Sequence, residues 1–166
     1  MIQSSRQPAA HRRRRQKGNA VIESALIILP LFAVGFAMMD FALALFIQNT
    51  LREAVREGVR YAITEQTGSG GQDAAIKSTV ENASMGFLTD ADISSGVSSF
   101  SINYYDSNLN AVSGVNSNAP GNLIVVSATI NRKWMAPLWR GTGLIPFSAY
   151  SSDIMESAPN NITPTR

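Results

Sequence analysis

Apolar side chains fill one long stretch near the start of the chain, residues 20–47. Within it, residues 24–39 carry no charge. At about 1.5 Å per residue, a helix over residues 24–47 is about 36 Å long, which exceeds the roughly 30 Å hydrocarbon thickness of a bilayer. The pattern therefore predicts a transmembrane helix at residues 19–47, preceded by a basic leader at residues 1–18.

Helical periodicity continues through residues 48–66. The apolar face of this segment consists of Leu51, Val55, Val59 and Ala62. A second face carries three arginines four residues apart, Arg52, Arg56 and Arg60. Because spacings of three and four place side chains on one side of a helix, we predict an amphipathic continuation of the same helix, with Gly58 as a weak point. The arginines are either solvated or form a contact with a partner protein.

The remaining chain changes from helical to strand periodicity. Glycines at 68, 70 and 71 are predicted to end the long helix, and a second helix is predicted over about 73–87. Polar and apolar residues then alternate at 100–104, at 124–130 and less regularly at 147–155. We predict an α+β fold in which a domain at residues 67–160, with this second helix and a 3–4 stranded antiparallel sheet, packs on the long helix. Residues 161–166 are predicted to be a flexible tail.

Two residues inside the apolar helix are unusual for such a segment. Pro30 lacks a backbone donor and crowds the preceding turn, so we predict a kink or local unwinding there. Asp40 lies about 25 Å along the helix from Glu23, which places it near the outer membrane boundary. It is either an interfacial residue or a contact for a partner in another subunit.

Charge is distributed asymmetrically. The leader contains six basic residues and no acidic one, so the rest of the chain has eight basic and twelve acidic residues and a net charge of −4. A basic cluster directly before an apolar span retains the N-terminus in the cytoplasm, and we prefer this topological role to nucleic-acid binding. The cluster comprises Arg12, Arg13, Arg14, Arg15 and Lys17. We expect the leader to be disordered or bound to the membrane surface.

A cleaved secretory signal peptide is the alternative interpretation of the N-terminus. The residues Ala42, Leu43 and Ala44 have the small-x-small form of a cleavage site. However, the preceding apolar region is longer than the roughly 7–15 residues of a signal peptide core and contains Asp40. We therefore prefer the transmembrane helix.

The sequence offers no catalytic constellation. The single histidine, His11, lies in the leader, and there is no cysteine. Asp106, Asn108 and Asn110 resemble the start of a calcium loop, but Ala111 and Ser117 occupy its glycine and final acidic positions. We therefore predict no enzyme activity, no metal site and no cofactor. Two tryptophans, Trp134 and Trp139, are predicted to be core residues or an exposed aromatic contact.

Glu23 is the most informative residue, because an ionisable group at the start of a transmembrane helix is costly and by default marks a function. It is the fifth residue after Gly18, which closes the basic leader. This arrangement resembles the class III signal of type IV pilins and pseudopilins. More narrowly, GNAVIESALIILPL from residue 18 and REAVREGVRYA from residue 52 resemble the TadE-like proteins of tight-adherence (Tad, or Flp) pilus systems. Flp-type pilins usually have an aromatic residue after the glutamate, whereas this chain has Ser24.

The resemblance implies a pilin-like fold and cleavage by a prepilin peptidase between Gly18 and Asn19. Glu23 is then placed to pair with the new N-terminal amine of a neighbouring subunit and to fix helix register, because opposite charges attract strongly in a low-dielectric setting. The implied function is that of a minor pseudopilin that initiates, assembles or caps a Tad-type pilus.

The implied partners are the peptidase, other pilins or pseudopilins, the Tad assembly machinery and membrane lipid, with no nucleic acid. The implied location is the inner membrane, spanned once, with the N-terminus cytoplasmic and the C-terminal domain periplasmic or extracellular. The alternative is a single-pass anchored periplasmic binding or scaffold protein that is not processed.

Overall fold

A single helix, α1 (Arg12–Ile63), forms the spine of the molecule. The computed structural model describes residues 12–134, 141, 143–157 and 164–166, without the side chains of residues 12–18. The 52 residues of α1 correspond to about 78 Å. Its backbone begins within the leader, so residues 12–18 are helical where disorder was one expectation. The side chains of the basic cluster and residues 1–11, 135–140, 142 and 158–163 lie outside the described part, as does Trp139.

Helix α1 runs through Pro30 without interruption, so the unwinding expected there is absent, and the kink stays a prediction. The helix ends three residues before the predicted position of Gln66. The cause is local: Glu65 adopts a left-handed backbone conformation with φ of 53°, and its amide donates to the Ala62 carbonyl at 2.9 Å. This tight turn closes the helix before the glycine-rich segment begins.

The amphipathic half of α1 packs as its periodicity predicted. All four residues of the predicted apolar face are buried, namely Leu51, Val55, Val59 and Ala62. Ala54 is also fully buried. Burying this stripe stabilises the fold because each aliphatic side chain removed from water contributes roughly 1.5–3 kcal/mol.

Two shorter helices follow, α2 (Gln72–Ala83) and α3 (Asp90–Ser94). The prediction extended α2 to about residue 87, but Met85 and Gly86 have positive φ angles of 54° and 80°, which end the helix. Ser84 stabilises this turn because its hydroxyl accepts the Leu88 amide at 3.1 Å. Helix α3, five residues long and capped by Thr89, was not predicted from the sequence.

Four antiparallel strands form one sheet in the order β2-β1-β3-β4. They are β1 (Ser98–Tyr105), β2 (Ala111–Val112), β3 (Leu123–Lys133) and β4 (Leu144–Ile154). Strand β3 alternates between buried and half-buried positions, as its sequence predicted, and pairs with both β1 and β4. The inner face of the sheet packs on the amphipathic half of α1 and, with α2, encloses the core. The predicted α+β fold is confirmed.

Gly58 allows close contact between α1 and α2, although the sequence suggested only a weak point in the helix. A methyl group at this position would lie 2.4 Å from Cγ2 of Val80. Gly58→Ala should therefore lower the free energy of unfolding by about 1–2 kcal/mol, since the cost of overpacking exceeds the gain in helix propensity. Chemical unfolding of the full chain in detergent measures the change.

Gly35→Ala is the matched control, because no atom lies within 4 Å of a methyl group placed at Gly35 of the same helix. It should not lower the free energy of unfolding, because it keeps the gain in helix propensity without overpacking. The cost of Gly58→Ala should also be smaller in a Val80→Ala background. Equal stability of Gly58→Ala and the wild type would show that α2 does not pack against α1 at this distance.

Candidate functional site

The N-terminal half of α1, residues 19–39, is an apolar rod that no other part of the described chain covers. Nearly all side chains of residues 19–39 are exposed, and the large apolar ones are between 43% and 73% exposed. The segment Asn19–Ile63 contains an 18-residue window with a mean hydropathy of 2.2, of which only 6% is buried within the chain. One long apolar N-terminal helix, consistent with a single-pass membrane anchor, is therefore present.

Glu23 lies on this rod and is exposed. Among residues 19–134, no ion pair or hydrogen bond joins its carboxylate to another side chain. Asn19 lies four residues earlier, so it occupies the same helix face one turn below. Ser24 satisfies its own hydroxyl by donating to the Ala20 carbonyl at 2.8 Å. The carboxylate of Glu23 is therefore available to a group from outside the described chain.

Asp40 marks the point at which α1 enters the α+β domain. It is only 6% exposed, and it lines a cavity of about 320 Å³ together with Phe87, Arg132 and Trp134. Above it, Leu43, Ala44 and Ile47 pack on the core. Phe41, the residue after Asp40, remains 66% exposed. Residues 41–47 thus pack partly on their own domain.

The three arginines of α1 form an exposed row beside the edge strand β4. Arg52 and Arg56 line a shallow cavity of about 280 Å³ with residues 148–151 of that strand. Arg60 is exposed one turn further along. Arg56 approaches Glu53 at 3.9 Å, and both side chains are 74% exposed, so this pair adds little stability. The row is therefore accessible to an acidic partner.

The far end of the domain contains a polar cluster that the sequence did not reveal. The side-chain nitrogen Nε2 of Gln72 donates to Ala62 O at 3.1 Å. Asn118 Nδ2 donates both to Gln72 Oε1, at 2.6 Å, and to Pro164 O, at 2.9 Å. Gln72 and Asn118 are both completely buried. Long-range contacts of this kind leave no local signal in the sequence.

The last three residues pack on this cluster, in contrast to the flexible tail predicted for residues 161–166. Arg166 donates to Asp73 Oδ2 at 2.6 Å, and its guanidinium lies 4.6 Å from the centre of the Tyr104 ring. A methyl group on Gly71, whose φ is 92°, would lie 2.5 Å from the Arg166 carbonyl carbon. Glycine is thus needed at 71 both for its backbone conformation and for the close approach of residue 166.

The hydroxyl of Tyr104 donates to Asp73 Oδ1 at 2.8 Å. Burial, reinforced by this hydrogen bond, raises the pKa of Tyr104 well above its ordinary value of 10.0. The folded state holds the proton that an unfolded tyrosine loses near pH 10, so stability should fall as pH rises above about 10. Thermal unfolding followed from pH 8 to 11 should show a weaker decline in Tyr104→Phe than in the wild type.

Tyr150→Phe, at a tyrosine that is 78% exposed, is the matched control and should retain the alkaline decline. Identical alkaline profiles for Tyr104→Phe and the wild type would contradict the assignment of this titration to Tyr104.

The Asp106 segment forms a closed turn. Its carboxylate accepts hydrogen bonds from the amides of Asn108 and Asn110, at 2.8 and 2.9 Å, and these bonds lower the pKa of Asp106. The resemblance to a calcium loop is thus explained by a turn in which the carboxylate binds backbone amides. In the part of the chain that the structure describes, no three acidic or histidine side chains are grouped to hold a metal ion.

Comparison with known proteins gives one match. Residues 18–60 match the family model described as TadE-like protein, which confirms the resemblance found in the sequence. This match covers the whole apolar rod with Glu23, and also Asp40 and the row of arginines. No curated protein and no solved structure matches the chain significantly.

Proposed function

We propose that this chain, which carries the TadE-like segment at residues 18–60, is a minor pseudopilin of a Tad-type surface-attachment pilus. In this proposal a prepilin peptidase removes residues 1–18 in the inner membrane and exposes the amine of Asn19. The processed subunit then takes part in initiating, assembling or capping the filament. Its domain lies on the periplasmic or extracellular side.

The observation that carries the proposal is the continuity of α1. One helix contains an uncovered apolar half bearing Glu23 and an amphipathic half that forms the core of a folded domain. An ordinary anchor needs only the apolar half. It does not need that half to continue into the domain as one unbroken helix. A subunit that packs into a filament through its helix requires both halves to be rigidly connected, because the helix sets the position of the domain.

Within this proposal each predicted site residue has a separate role. Glu23 pairs with the N-terminal amine of a neighbour. Arg52, Arg56 and Arg60 provide an accessible basic row for an acidic partner in the pilus machinery. Asp40 stays associated with its own domain, where its burial makes it a determinant of how the domain sits on the helix.

Pilus number and length provide the test in a strain that lacks this chain. We expect fewer surface pili if the subunit initiates assembly and an altered length distribution if it caps the filament. The wild-type chain should restore both quantities, and Gly18→Leu, which blocks the peptidase site, should not. Gly35→Ala, at another glycine of α1, is the control for a general effect on the helix and should restore them. Unchanged number and length in the deletion strain would contradict the proposal.

A further inference from the structure

The end of the α+β domain that faces the uncovered half of α1 has an unusual surface. It comprises the turn at Met85 and Gly86, the last residue of β3, Lys133, with the following Trp134, and the start of β4 at Leu144. We call these residues the membrane-proximal face. They adjoin the 320 Å³ cavity whose other wall is residues 40–47 of α1.

The height of this face follows from the helix. The uncharged segment between Glu23 and Asp40 measures about 25 Å, close to the roughly 30 Å of a hydrocarbon core. With that segment in the bilayer, residues 40–47 rise through about the next 10 Å, a distance that corresponds to the headgroup region. The Phe46 and Phe87 rings, whose centres are 5.9 Å apart, fix the Met85 turn at the same height.

The apolar side chains of the face are exposed, because no neighbouring segment of the described chain covers them. Met85 is 72% exposed and Leu144 is 50% exposed. Met85 also has a left-handed backbone conformation, which is strained for a residue with a side chain. A strained turn that holds a large apolar side chain outward is unfavourable in water, and the same side chain becomes favourable once it enters an apolar phase.

The charge of the face matches a phospholipid surface. Lys133 is exposed, and no hydrogen bond or ion pair joins it to another described residue. Its neighbour Arg132 is held against the domain, where it donates to Phe87 O at 2.7 Å and lies 3.6 Å from Asp92. Asp40 lines the same cavity, and it is already engaged in another interaction. Among the described residues of the face, Lys133 is thus the available cation. The adjacent Trp134 is of the type that is enriched at membrane interfaces.

We propose that the membrane-proximal face rests on the bilayer, with Met85, Trp134 and Leu144 in contact with lipid and Lys133 binding the phosphate of an anionic phospholipid. The inference relies on the membrane anchoring contained in the proposed function. It adds that the domain is oriented by lipid as well as by its helix. Release from the bilayer into a filament then requires these contacts to break.

Quenching of Trp134 fluorescence tests lipid contact in the full-length chain reconstituted into vesicles. The Trp139→Phe variant leaves Trp134 as its single tryptophan. Phosphatidylcholine brominated near the headgroup should reduce its emission at least twofold. A second reporter retains both tryptophans: Met85→Cys, in a chain with no other cysteine, carries an environment-sensitive label whose emission should shift to the blue in vesicles.

The charge of Lys133 is tested by placing the bromine on one lipid at a time. Vesicles contain the same mixture of phosphatidylglycerol and phosphatidylcholine, with an equal molar amount of brominated lipid in each case. Brominated phosphatidylglycerol should quench Trp134 about twice as strongly. Lys133→Gln should abolish this preference. Arg60→Gln also removes one positive charge, but it lies about 30 Å along α1 from Asp40 at the cavity, so it should retain the preference.

Vesicle flotation separates the possible failures. A chain that floats with the vesicles while both reporters remain unaffected by lipid overturns this inference and leaves the anchoring intact. A chain that does not float overturns both. Occupation of the face by a second copy of the chain also overturns the inference. In that case the quenching of Trp134 would increase when the protein is diluted in lipid, because the two copies separate and lipid reaches the face.

Discussion

Replacing Glu23 with glutamine should lower the amount of this chain recovered with sheared pili by about tenfold or more, because a charge-assisted hydrogen bond contributes about 1.5–3 kcal/mol. Glutamine keeps the size and polarity of the side chain, so the change removes the charge with little effect on the helix. Glu23 is exposed and pairs with no side chain among residues 19–134. The stability of the isolated subunit should therefore be unaffected.

Glu57→Gln is the matched control for the Glu23 substitution. Glu57 is an exposed glutamate of the same helix, and it lies in the α+β domain rather than on the apolar rod. Its replacement should leave pilus recovery unchanged, and both variants should insert into the membrane as the wild type does. Recovery of Glu23→Gln at the level of Glu57→Gln would rule out the registering role.

Gln72→Leu should lower the free energy of unfolding by about 2–4 kcal/mol, since it removes two buried hydrogen bonds and leaves Asn118 without one partner. Gln72 connects the end of α1 to the polar cluster, because its side chain bonds both Ala62 O and Asn118. Leucine has a similar volume, so no large cavity accompanies the change. Urea unfolding of the full chain in detergent provides the measurement.

Gln66→Leu is the control for Gln72→Leu. Gln66 is exposed and makes one side-chain bond, to Thr64 Oγ1 at 3.1 Å, so its replacement should cost no more than about 0.5 kcal/mol. The double variant Gln72→Leu with Asn118→Leu should lose less stability than the sum of the two single variants, because both residues belong to one network. Equal effects of Gln72→Leu and Gln66→Leu would show that the cluster does not stabilise the domain.

The elements that the sequence predicted well are those with strong periodicity. The apolar face of α1 and the alternation along β3 recur over enough residues to identify both the element and its buried side. Short elements lack this repetition, which is why α3, with five residues, was missed. The end of α2 was misplaced because apolar spacing continued through Phe87 while the backbone had already turned at Met85 and Gly86.

Contacts between distant parts of the chain were beyond sequence analysis. Arg166 and Asp73 are 93 positions apart, and nothing near either residue indicates that they pair. Polar residues such as Gln72 are usually exposed, so the complete burial of this side chain also left no signal. Gly58 was interpreted as a weakness in α1, yet it is the point of closest approach to α2.

Glu23 and Asp40 were predicted from the cost of placing charge in a membrane, which depends only on local sequence. The structure shows Glu23 exposed on the apolar rod and Asp40 covered by the domain. The surroundings of Asp40 could not be predicted from local sequence, because residues from β3 and β4 form the cavity beside it. The partner of Glu23 belongs to another chain in the proposed assembly, so a single sequence cannot identify it.

The central claim is that the chain is a processed pseudopilin. Intact-mass analysis of the protein extracted from its native membrane, combined with N-terminal sequencing, tests this claim most directly. We predict a species that begins at Asn19 and has the mass of residues 19–166, and we expect Gly18→Leu to remain at full length. A wild-type protein that retains Met1 in the membrane would contradict the claim and favour an unprocessed anchor.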